Sequence, residues 1–169
     1  ETDTTATANP KTYTGFTFDG TVEGTVASGN IAGDGSLVLK LYYTRNSYEV
    51  SYAYTGTVPA DASALPEKAA VKYGASVTVA EAATAKGHTF SGWSSGDFTM
   101  PAQDVEITGS FTANGDTAYT VEHYQQNLAG DGYDLVEADT EHLTGETDTT
   151  ATANPKTYTG FTLDRTVEG

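Results

Sequence analysis

Apolar and polar residues alternate with a period of two along several short stretches of this chain. The alternation is clearest over residues 104–112 and 36–44, where every second residue is apolar, aromatic or glycine. A period of two is typical of a β-strand with one buried face. Further strands are predicted at residues 48–54, 75–80, 89–93, 119–125, 133–139 and 147–151, and the enrichment of the chain in Thr and Tyr suits strands. The sequence therefore predicts a mainly β fold.

One stretch favours a helix. Residues 63–70 combine alanine and leucine with Pro66, which is compatible with the first turn of a helix. We expect one or two helical turns there, so that the sheet is crossed by a short connection at most.

The chain begins and ends on nearly the same sequence. Residues 1–24 and 146–169 differ only where Phe18 corresponds to Leu163 and Gly20 to Arg165. Near-identity over 24 residues, displaced by 145 positions, indicates a tandem array of recently duplicated units. The chain spans slightly more than one period, and we expect it to be internal to a longer polypeptide.

The period divides into two modules that share motifs in the same order. Module B, residues 47–116, is complete, whereas module A begins in residues 117–169 and ends in residues 1–46. Both modules open on Tyr-x-Val, contain Gly-x-Thr-aromatic-x-Gly and close on aromatic-Thr-x-Asn, which ends at Asn46 in A and at Asn114 in B. A and B are therefore expected to be divergent copies of one small fold.

Module A is divided between the two ends of the chain, so each fragment lacks a strand. Residues 117–169 lack the closing strand of 36–44, and residues 1–46 lack the opening strand of 119–125. An unpaired strand presents backbone donors and acceptors to another chain. We expect neighbouring repeats to complete module A head to tail, and the apolar face of residues 37–43 to be exposed where its partner is missing.

Charge and composition exclude several classes of function. Eight Lys and Arg residues against 23 Asp and Glu residues give a net charge of -15, which repels nucleic acid and anionic membranes. The absence of cysteine excludes disulfides and thiolate metal sites. No apolar run approaches the ~20 residues that span a bilayer. We expect no nucleic-acid partner and no membrane span in this segment.

The candidate catalytic and metal-binding residues form no recognisable pattern. His88, His123 and His142 lack the spacing of a metal site or a catalytic triad, and we expect the first two to be half-buried strand residues. Trp93 is a candidate sugar-stacking platform, but its place after a strand favours a core position. We therefore assign no catalytic, cofactor-binding or metal-binding residue, no cofactor and no enzymatic activity.

Lys40 is the candidate for an isopeptide staple, because it is centred in a strong strand. The staple requires a buried, neutral lysine beside an asparagine and a carboxylate. Lys40 lies opposite the leucine face of residues 37–41, which favours a surface position instead.

Two loops of nearly the same sequence, residues 30–35 and 127–132, carry Asn, Asp and Gly before a strand. Asn127, Asp131 and Asp134 offer oxygen ligands to calcium, but the spacing lacks the register of a calcium-binding loop. Hairpin turns, which use glycine and side-chain-bonded Asp or Asn, are the favoured interpretation.

Several of these motifs resemble known families. GHTFSGW at residues 87–93, FTMPA at 98–102 and DVEITGSF at 104–111 resemble the signature of Listeria-Bacteroides, or internalin B-type, repeats. YTVEHY at 119–124 and LKLYYTRN at 39–46 resemble the MucBP (mucin-binding-protein) repeat. Such repeats occur in multi-domain cell-wall surface proteins, chiefly of Gram-positive bacteria, and are similar to β-grasp domains.

The resemblance implies a β-grasp-like α+β fold with minimal helix, in which the first and last strands of each module are adjacent and parallel. It also implies a non-catalytic stalk or spacer of an extracellular, cell-wall-anchored adhesin, in which an elongated array or filament projects a distal binding region. The alternative is that the modules themselves bind host mucin or glycan. Near-identical duplication favours the spacer, because added or lost units change length.

Overall fold

The computed structural model describes residues 4–164. In that part of the chain the fold is mainly β, as predicted, with one 3-10 turn at Glu137–Asp139. No helix among these residues has the length and apolar character needed to cross a bilayer. The strands are β1 (Thr5–Thr7), β2 (Phe16–Phe18), β3 (Ser28–Asn30), β4 (Tyr43–Arg45), β5 (Ser47–Thr55), β6 (Ala69–Lys72), β7 (Ser76–Val77), β8 (His88–Phe90), β9 (Phe98–Thr99), β10 (Val105–Ala113), β11 (Thr117–Val121), β12 (Tyr124–Gln126), β13 (Tyr133–Leu135) and β14 (Glu141–Gly145).

The described residues divide into two compact units. Unit 1 contains the residues up to 55 together with 64–83 and 92–109. Unit 2 contains 56–63, 84–91 and the residues from 110 onward. The two fragments of module A therefore belong to different units, the N-terminal one to unit 1 and the C-terminal one to unit 2.

The largest sheet has four strands in the order β6, β5, β10, β8. β6 pairs antiparallel with β5, and β8 pairs antiparallel with β10. Between β5 and β10, the Glu49 backbone N–H donates to Asp104 Oδ1, and Thr55 Oγ1 donates to the Gly109 carbonyl. Residue numbers increase together along the two strands, so β5 and β10 run in the same direction. The first and last strands of module B are adjacent and parallel, as expected.

The core of unit 1 follows from the alternation in β5 and β10. Met100 and Ile107 are almost completely buried, and Val50 and Val77 pack with them. β7 pairs with β9, which places Val77 opposite Phe98. The predicted strands at 48–54 and 104–112 are thus confirmed, together with their buried faces.

Shorter strand pairs form the remainder. In unit 1, β1 pairs with β3 and β2 with β4; in unit 2, β11 pairs with β14 and β12 with β13, all antiparallel. These strands are three to five residues long. The predicted strands at 75–80, 89–93, 119–125 and 133–139 are shortened or interrupted accordingly, because each has a pairing partner over only part of its length.

The helix predicted at residues 63–70 is absent, so that prediction was wrong. The Ser63 backbone N–H donates to the Thr84 carbonyl at 2.8 Å, and Ala69–Lys72 forms β6 instead. One helical turn fixes several backbone dihedrals for a single hydrogen bond. Pairing with β5 provides a ladder for residues 69–72, which include the last two residues of the predicted helix.

The prediction of a continuous strand at residues 36–44 was also wrong. Only Lys40, which bridges to Val26, and the segment Tyr43–Arg45 are paired. The alternation of burial survives, since Leu37, Leu39 and Leu41 are half-buried and Val38 is 62% exposed. The leucine face is therefore covered rather than exposed. Leu37 lies against Gly29 of β3, where a Cβ would be 2.7 Å from its Cδ1.

The strand predicted at residues 147–151 does not form. The identical sequence at the N-terminus does form a strand, β1, because residues 28–30 pair with it. The same residues thus adopt different structures according to whether a partner strand is present.

Candidate functional site: a repeated Gly-Thr-Asn junction

The N-terminal fragment ends in a set of contacts around Asn46. Just before it, β2 and β4 pair with Thr17 opposite Thr44. Thr17 Oγ1 donates to Asn46 Oδ1 at 2.7 Å, and the Asn46 N–H donates to the Gly15 carbonyl at 2.9 Å. The Asn46 carbonyl accepts a bond of 2.8 Å from the N–H of Tyr73, the residue after β6. We call Gly15, Thr17, Asn46 and Tyr73 the unit 1 junction.

Unit 2 contains the same arrangement around Asn114. Thr89 Oγ1 donates to Asn114 Oδ1 at 2.7 Å, and the Asn114 N–H donates to the Gly87 carbonyl at 2.8 Å. The Asn114 carbonyl accepts from the Thr147 N–H at 2.9 Å. We call Gly87, Thr89, Asn114 and Thr147 the unit 2 junction.

The strand registers beside the two junctions also correspond. Phe18 lies opposite Tyr43 in unit 1, and Phe90 lies opposite Phe111 in unit 2. Both pairs are in ring contact, with centroids 5.9 Å and 5.1 Å apart. The shared motifs Gly-x-Thr-aromatic and aromatic-Thr-x-Asn are thus the two halves of one structural contact.

Asparagine suits this position because three of its groups are used at once. Its backbone N–H and side-chain oxygen bind the Gly-x-Thr segment, while its carbonyl binds a segment further along the chain. In each junction that further segment follows the strand that pairs with the next long strand: β6, which pairs with β5, for Asn46, and β14, which pairs with β11, for Asn114. Each junction therefore connects the segment after one strand, β4 or β10, to the segment after another, β6 or β14.

Glycine is required at each junction for two reasons. Gly15 and Gly87 have φ of +78° and +66°, a region that disfavours side chains. A Cβ at Gly15 would overlap the Tyr73 ring, and one at Gly87 would lie 2.6 Å from Thr147 Oγ1. The close approach of the next segment is possible only without a side chain.

A separate charged cluster in unit 2 fixes the C-terminal fragment. Tyr158 donates from its hydroxyl to Asp139 Oδ2 at 2.6 Å, and Lys156 Nζ lies 3.2 Å from Asp139 Oδ1 and 3.1 Å from Glu141 Oε1. The Tyr158 and Lys156 donors lower the pKa of Asp139 below its ordinary value. Glu141 and Asp139 raise the pKa of Lys156, and the bond to Asp139 raises that of Tyr158.

The cluster favours the charged forms of both partners, Lys156 as a cation and Asp139 as an anion. We call Asp139, Glu141, Lys156 and Tyr158 the ionic tie. Lys40, the sequence candidate for a staple, is exposed.

The three histidines have separate surroundings. His88 Nδ1 lies 2.9 Å from the Lys86 carbonyl, and His142 Nδ1 lies 3.3 Å from Thr120 Oγ1. His123 Nε2 is 3.6 Å from Glu141 Oε1, with its side chain only 10% exposed. His88 lies in β8 and is half-buried as predicted, whereas His123 follows β11. No group of three His, Cys, Asp or Glu side chains in residues 4–164 is arranged to hold a metal ion.

Trp93 packs at the edge of the unit 1 core. Its ring stacks on Tyr54, at 5.8 Å and 9° between planes, and meets Tyr52 edge-on at 5.0 Å. The indole Nε1 donates to the Glu81 carbonyl at 2.9 Å. The ring is half-buried and packs on the core, as the core interpretation requires.

The loop at 127–132 is a hairpin turn between β12 and β13, as predicted. Asn127 Oδ1 accepts from the Gly130 and Asp131 N–H groups, and its Nδ2 donates to Asp131 Oδ1. In the loop at 30–35, Asp34 Oδ1 accepts from the Ser36 N–H, and hydrogen bonds from Ser36 lower the Asp34 pKa. The side-chain oxygens thus stabilise the turns themselves.

Open grooves of modest size lie in both units. A groove of about 340 Å³ in unit 1 lies beside β5 and β6, and one of about 390 Å³ in unit 2 lies beside β12 and β13. The unit 1 groove is lined mainly by apolar side chains, among them Val50, Tyr52, Pro66, Val71 and Val77.

The Gly, Thr and Asn positions of the junctions are recognisable in the sequence as shared motifs, but their contact is not. The sequence gives no signal for Tyr73, for Thr147 or for the cluster of Asp139, Lys156 and Tyr158, since these residues come from segments without a common spacing.

Comparison with known proteins gives no relative for this chain. No family model matches it, and neither a curated protein nor a solved structure does. The resemblance to MucBP and Listeria-Bacteroides repeats therefore stays a prediction based on the motifs.

Proposed function

We propose that the chain is a non-catalytic spacer: a segment of a tandem-repeat stalk of a bacterial surface adhesin, extracellular and anchored to the cell wall. The observation that carries the proposal is the Gly-Thr-Asn junction, which occurs once in each unit with matching bond lengths. A contact repeated at each module boundary gives successive modules a fixed connection. Fixed connections are what a stalk needs in order to project a distal binding region.

The order β6, β5, β10, β8, with β5 parallel to β10, supports a β-grasp-like fold for module B without its usual helix. Parallel first and last strands leave the chain at opposite ends of a module, so modules connected in this way extend an array. Force along the array would load the β5–β10 ladder in shear, which requires several hydrogen bonds to break together.

The charge of the chain also supports a spacer. A net charge of -15 makes neighbouring stalks repel each other and keeps exposed modules soluble. The extracellular location follows from the motif resemblance.

The second candidate is binding of mucin or glycan by the modules themselves. The apolar groove beside Tyr52 in unit 1 is the observation that favours it. Aromatic and apolar surfaces of this kind stack on sugar rings.

To test the proposal, arrays of one, three and five periods are displayed on a bacterial surface, each carrying the same carbohydrate-binding reporter domain at its outer end. The spacer function predicts that capture of a surface-bound ligand increases with the number of periods and depends entirely on the reporter. Arrays without the reporter are the control. If those arrays bind mucin-coated surfaces, with avidity that rises with the number of periods, the modules are binders and the spacer assignment is wrong.

A further inference from the structure

The two ends of the chain carry complementary halves of one sheet. In module B, the pair β5 and β6 lies beside the pair β8 and β10, and together they form one sheet of four strands. Module A repeats the first pair as β11 and β14, in unit 2, and the second pair as β2 and β4, in unit 1. Among the described residues, each of these two pairs forms a sheet of two strands and no more.

The duplicated sequence shows what the C-terminal half lacks. In unit 1, residues 5–7 pair with β3 and residues 16–18 with β4. Their counterparts, residues 150–152 and 161–163, form no strand. The sequences are the same except for Leu163 in place of Phe18, so we attribute the difference to the partner segment, residues 25–46, which pairs with the first copy.

Parts of the C-terminal copy are nevertheless already in the required conformation. The Phe161 N–H donates to the Tyr158 carbonyl at 3.1 Å, as Phe16 donates to Tyr13 in unit 1. Gly160 has φ of +81°, close to the +78° of Gly15. Lys156 and Tyr158 hold this segment to Asp139.

The space beside Gly160 is open. A Cβ at Gly15 would overlap the Tyr73 ring, whereas one at Gly160 would meet no atom within 4 Å. Phe161 and Leu163 are 45% and 60% exposed, although their counterparts Phe16 and Phe18 are in contact with Tyr73 and Tyr43.

We propose that residues 146–164 and strand β11 form an acceptor site for residues 25–73 of a second copy of this sequence. The occupant pairs its residues 28–30 with 150–152 and its residues 43–45 with 161–163, and β4 of the occupant runs beside β11. The assembled module A then has the strand order β14, β11, β4 and 161–163, which matches β6, β5, β10, β8 of module B. The ring of the occupant's Tyr73 covers Gly160.

The two differences between the copies are compatible with this site. Leu163 stands where the first copy has Phe18, whose ring centroid lies 5.9 Å from that of Tyr43. In the proposed assembly Leu163 makes an apolar contact with the occupant's Tyr43 and no contact between aromatic rings. Arg165 lies outside the described residues, and at the corresponding Gly20 a Cβ would make an ordinary contact of 3.7 Å with Phe18. We expect Leu163→Phe to strengthen the assembly.

The test compares two polypeptides by backbone hydrogen exchange. One is the 169-residue chain, and the other is the same chain followed directly by a second copy of residues 25–116. The proposal predicts that amides within 150–152 and 161–163 exchange rapidly in the first and about tenfold or more slowly in the second, matching residues 5–7 and 16–18. Rapid exchange in the longer chain overturns the proposal, as does equal protection in both.

Gly160→Ala separates specific docking from general stabilisation. In the 169-residue chain it introduces only the strain of a positive φ. In the longer chain it also blocks Tyr73, so the protection at 161–163 is lost there. Unchanged protection contradicts the proposed contact. The proposal is independent of the spacer function, since module A can be completed whether or not the array is used as a stalk.

Discussion

Thr17 and Asn46 are joined by a side-chain hydrogen bond of 2.7 Å, the same length as the bond between Thr89 and Asn114. The two pairs lie in different units and in modules whose sequences have diverged. In both, the asparagine also binds a glycine carbonyl and a backbone N–H of a later segment. The feature that recurs in the two units is therefore a contact between segments as well as a sequence.

The first prediction concerns the hydroxyl in this contact. Thr17→Val keeps the shape of the side chain and removes the donor to Asn46, so it should lower the free energy of unfolding by about 1 kcal/mol. Thr44→Val, on the neighbouring strand, is the matched control. A double-mutant cycle of Thr17→Val with Asn46→Ala, measured by chemical denaturation, should give a coupling energy of about 0.5–1.5 kcal/mol. Additive effects would show that the two side chains do not interact.

The second prediction concerns close approach at a glycine. Gly87 and Gly92 both have positive φ, but an added Cβ would meet Thr147 at Gly87 and no atom within 4 Å at Gly92. Gly92→Ala should lower the free energy of unfolding by about 1–2 kcal/mol, the strain of a side chain in the left-handed conformation. Gly87→Ala should lower it further, because Thr147 must also move. Equal losses in thermal or chemical unfolding would mean that Thr147 does not contact Gly87.

The third prediction concerns the core of unit 1. Ile107 is fully buried, and Ile107→Ala should lower the free energy of unfolding by about 3 kcal/mol. Val38→Ala is the control, since Val38 is 62% exposed and should change stability by less than about 0.5 kcal/mol. Trp93→Ala should lower the free energy of unfolding about as much as Ile107→Ala, because Trp93 packs on Tyr52 and Tyr54. If Trp93→Ala lowers it as little as Val38→Ala does, Trp93 is a candidate sugar-stacking platform instead.

The fourth prediction concerns pH. The Asp139 pKa is lowered from 3.8, so its contribution to stability is present above that value and is lost as pH falls through the lowered pKa. The pKa of Tyr158 is raised from 10.0 and that of Lys156 from 10.5. Their contributions are present below those values and are lost as pH rises through the raised ones. The ionic tie should therefore weaken at both extremes of pH.

Tyr158→Phe tests the assignment. It removes the largest contribution to the lowered pKa of Asp139, so that pKa should rise towards 3.8 in an NMR titration of the carboxyl group. Tyr13→Phe is the matched control, because Tyr13 occupies the same position in the N-terminal copy and contacts Tyr43 instead. The same Asp139 pKa in both variants would exclude the Tyr158 bond.

The strands with strong alternation could be predicted from the sequence. The buried positions of residues 104–112, with Ile107 at the centre, follow directly from the period of two. Strand length could not be predicted in the same way, because it depends on a partner. Residues 36–44 alternate as regularly but pair only at Lys40 and at 43–45.

The duplicated ends show the limit of local sequence most directly. Thr5–Thr7 forms a strand and the identical residues 150–152 do not, although the turn at residues 159–160 matches the turn at residues 14–15. The Gly, Thr and Asn positions of the junction could be found as shared motifs. Tyr73 and Thr147 could not, because they belong to segments brought there by folding.

The central claim, that the junctions link the modules into an extended stalk, is tested most directly by small-angle X-ray scattering of polypeptides with one, two and four periods. If each module adds roughly 30–40 Å, the maximum dimension should increase linearly by about twice that length for every period. Variants with Asn46→Ala and Asn114→Ala in every period should give a broader distribution of dimensions at the same mass. A maximum dimension that grows only as the cube root of the number of periods, with no effect of the asparagine changes, would contradict the account.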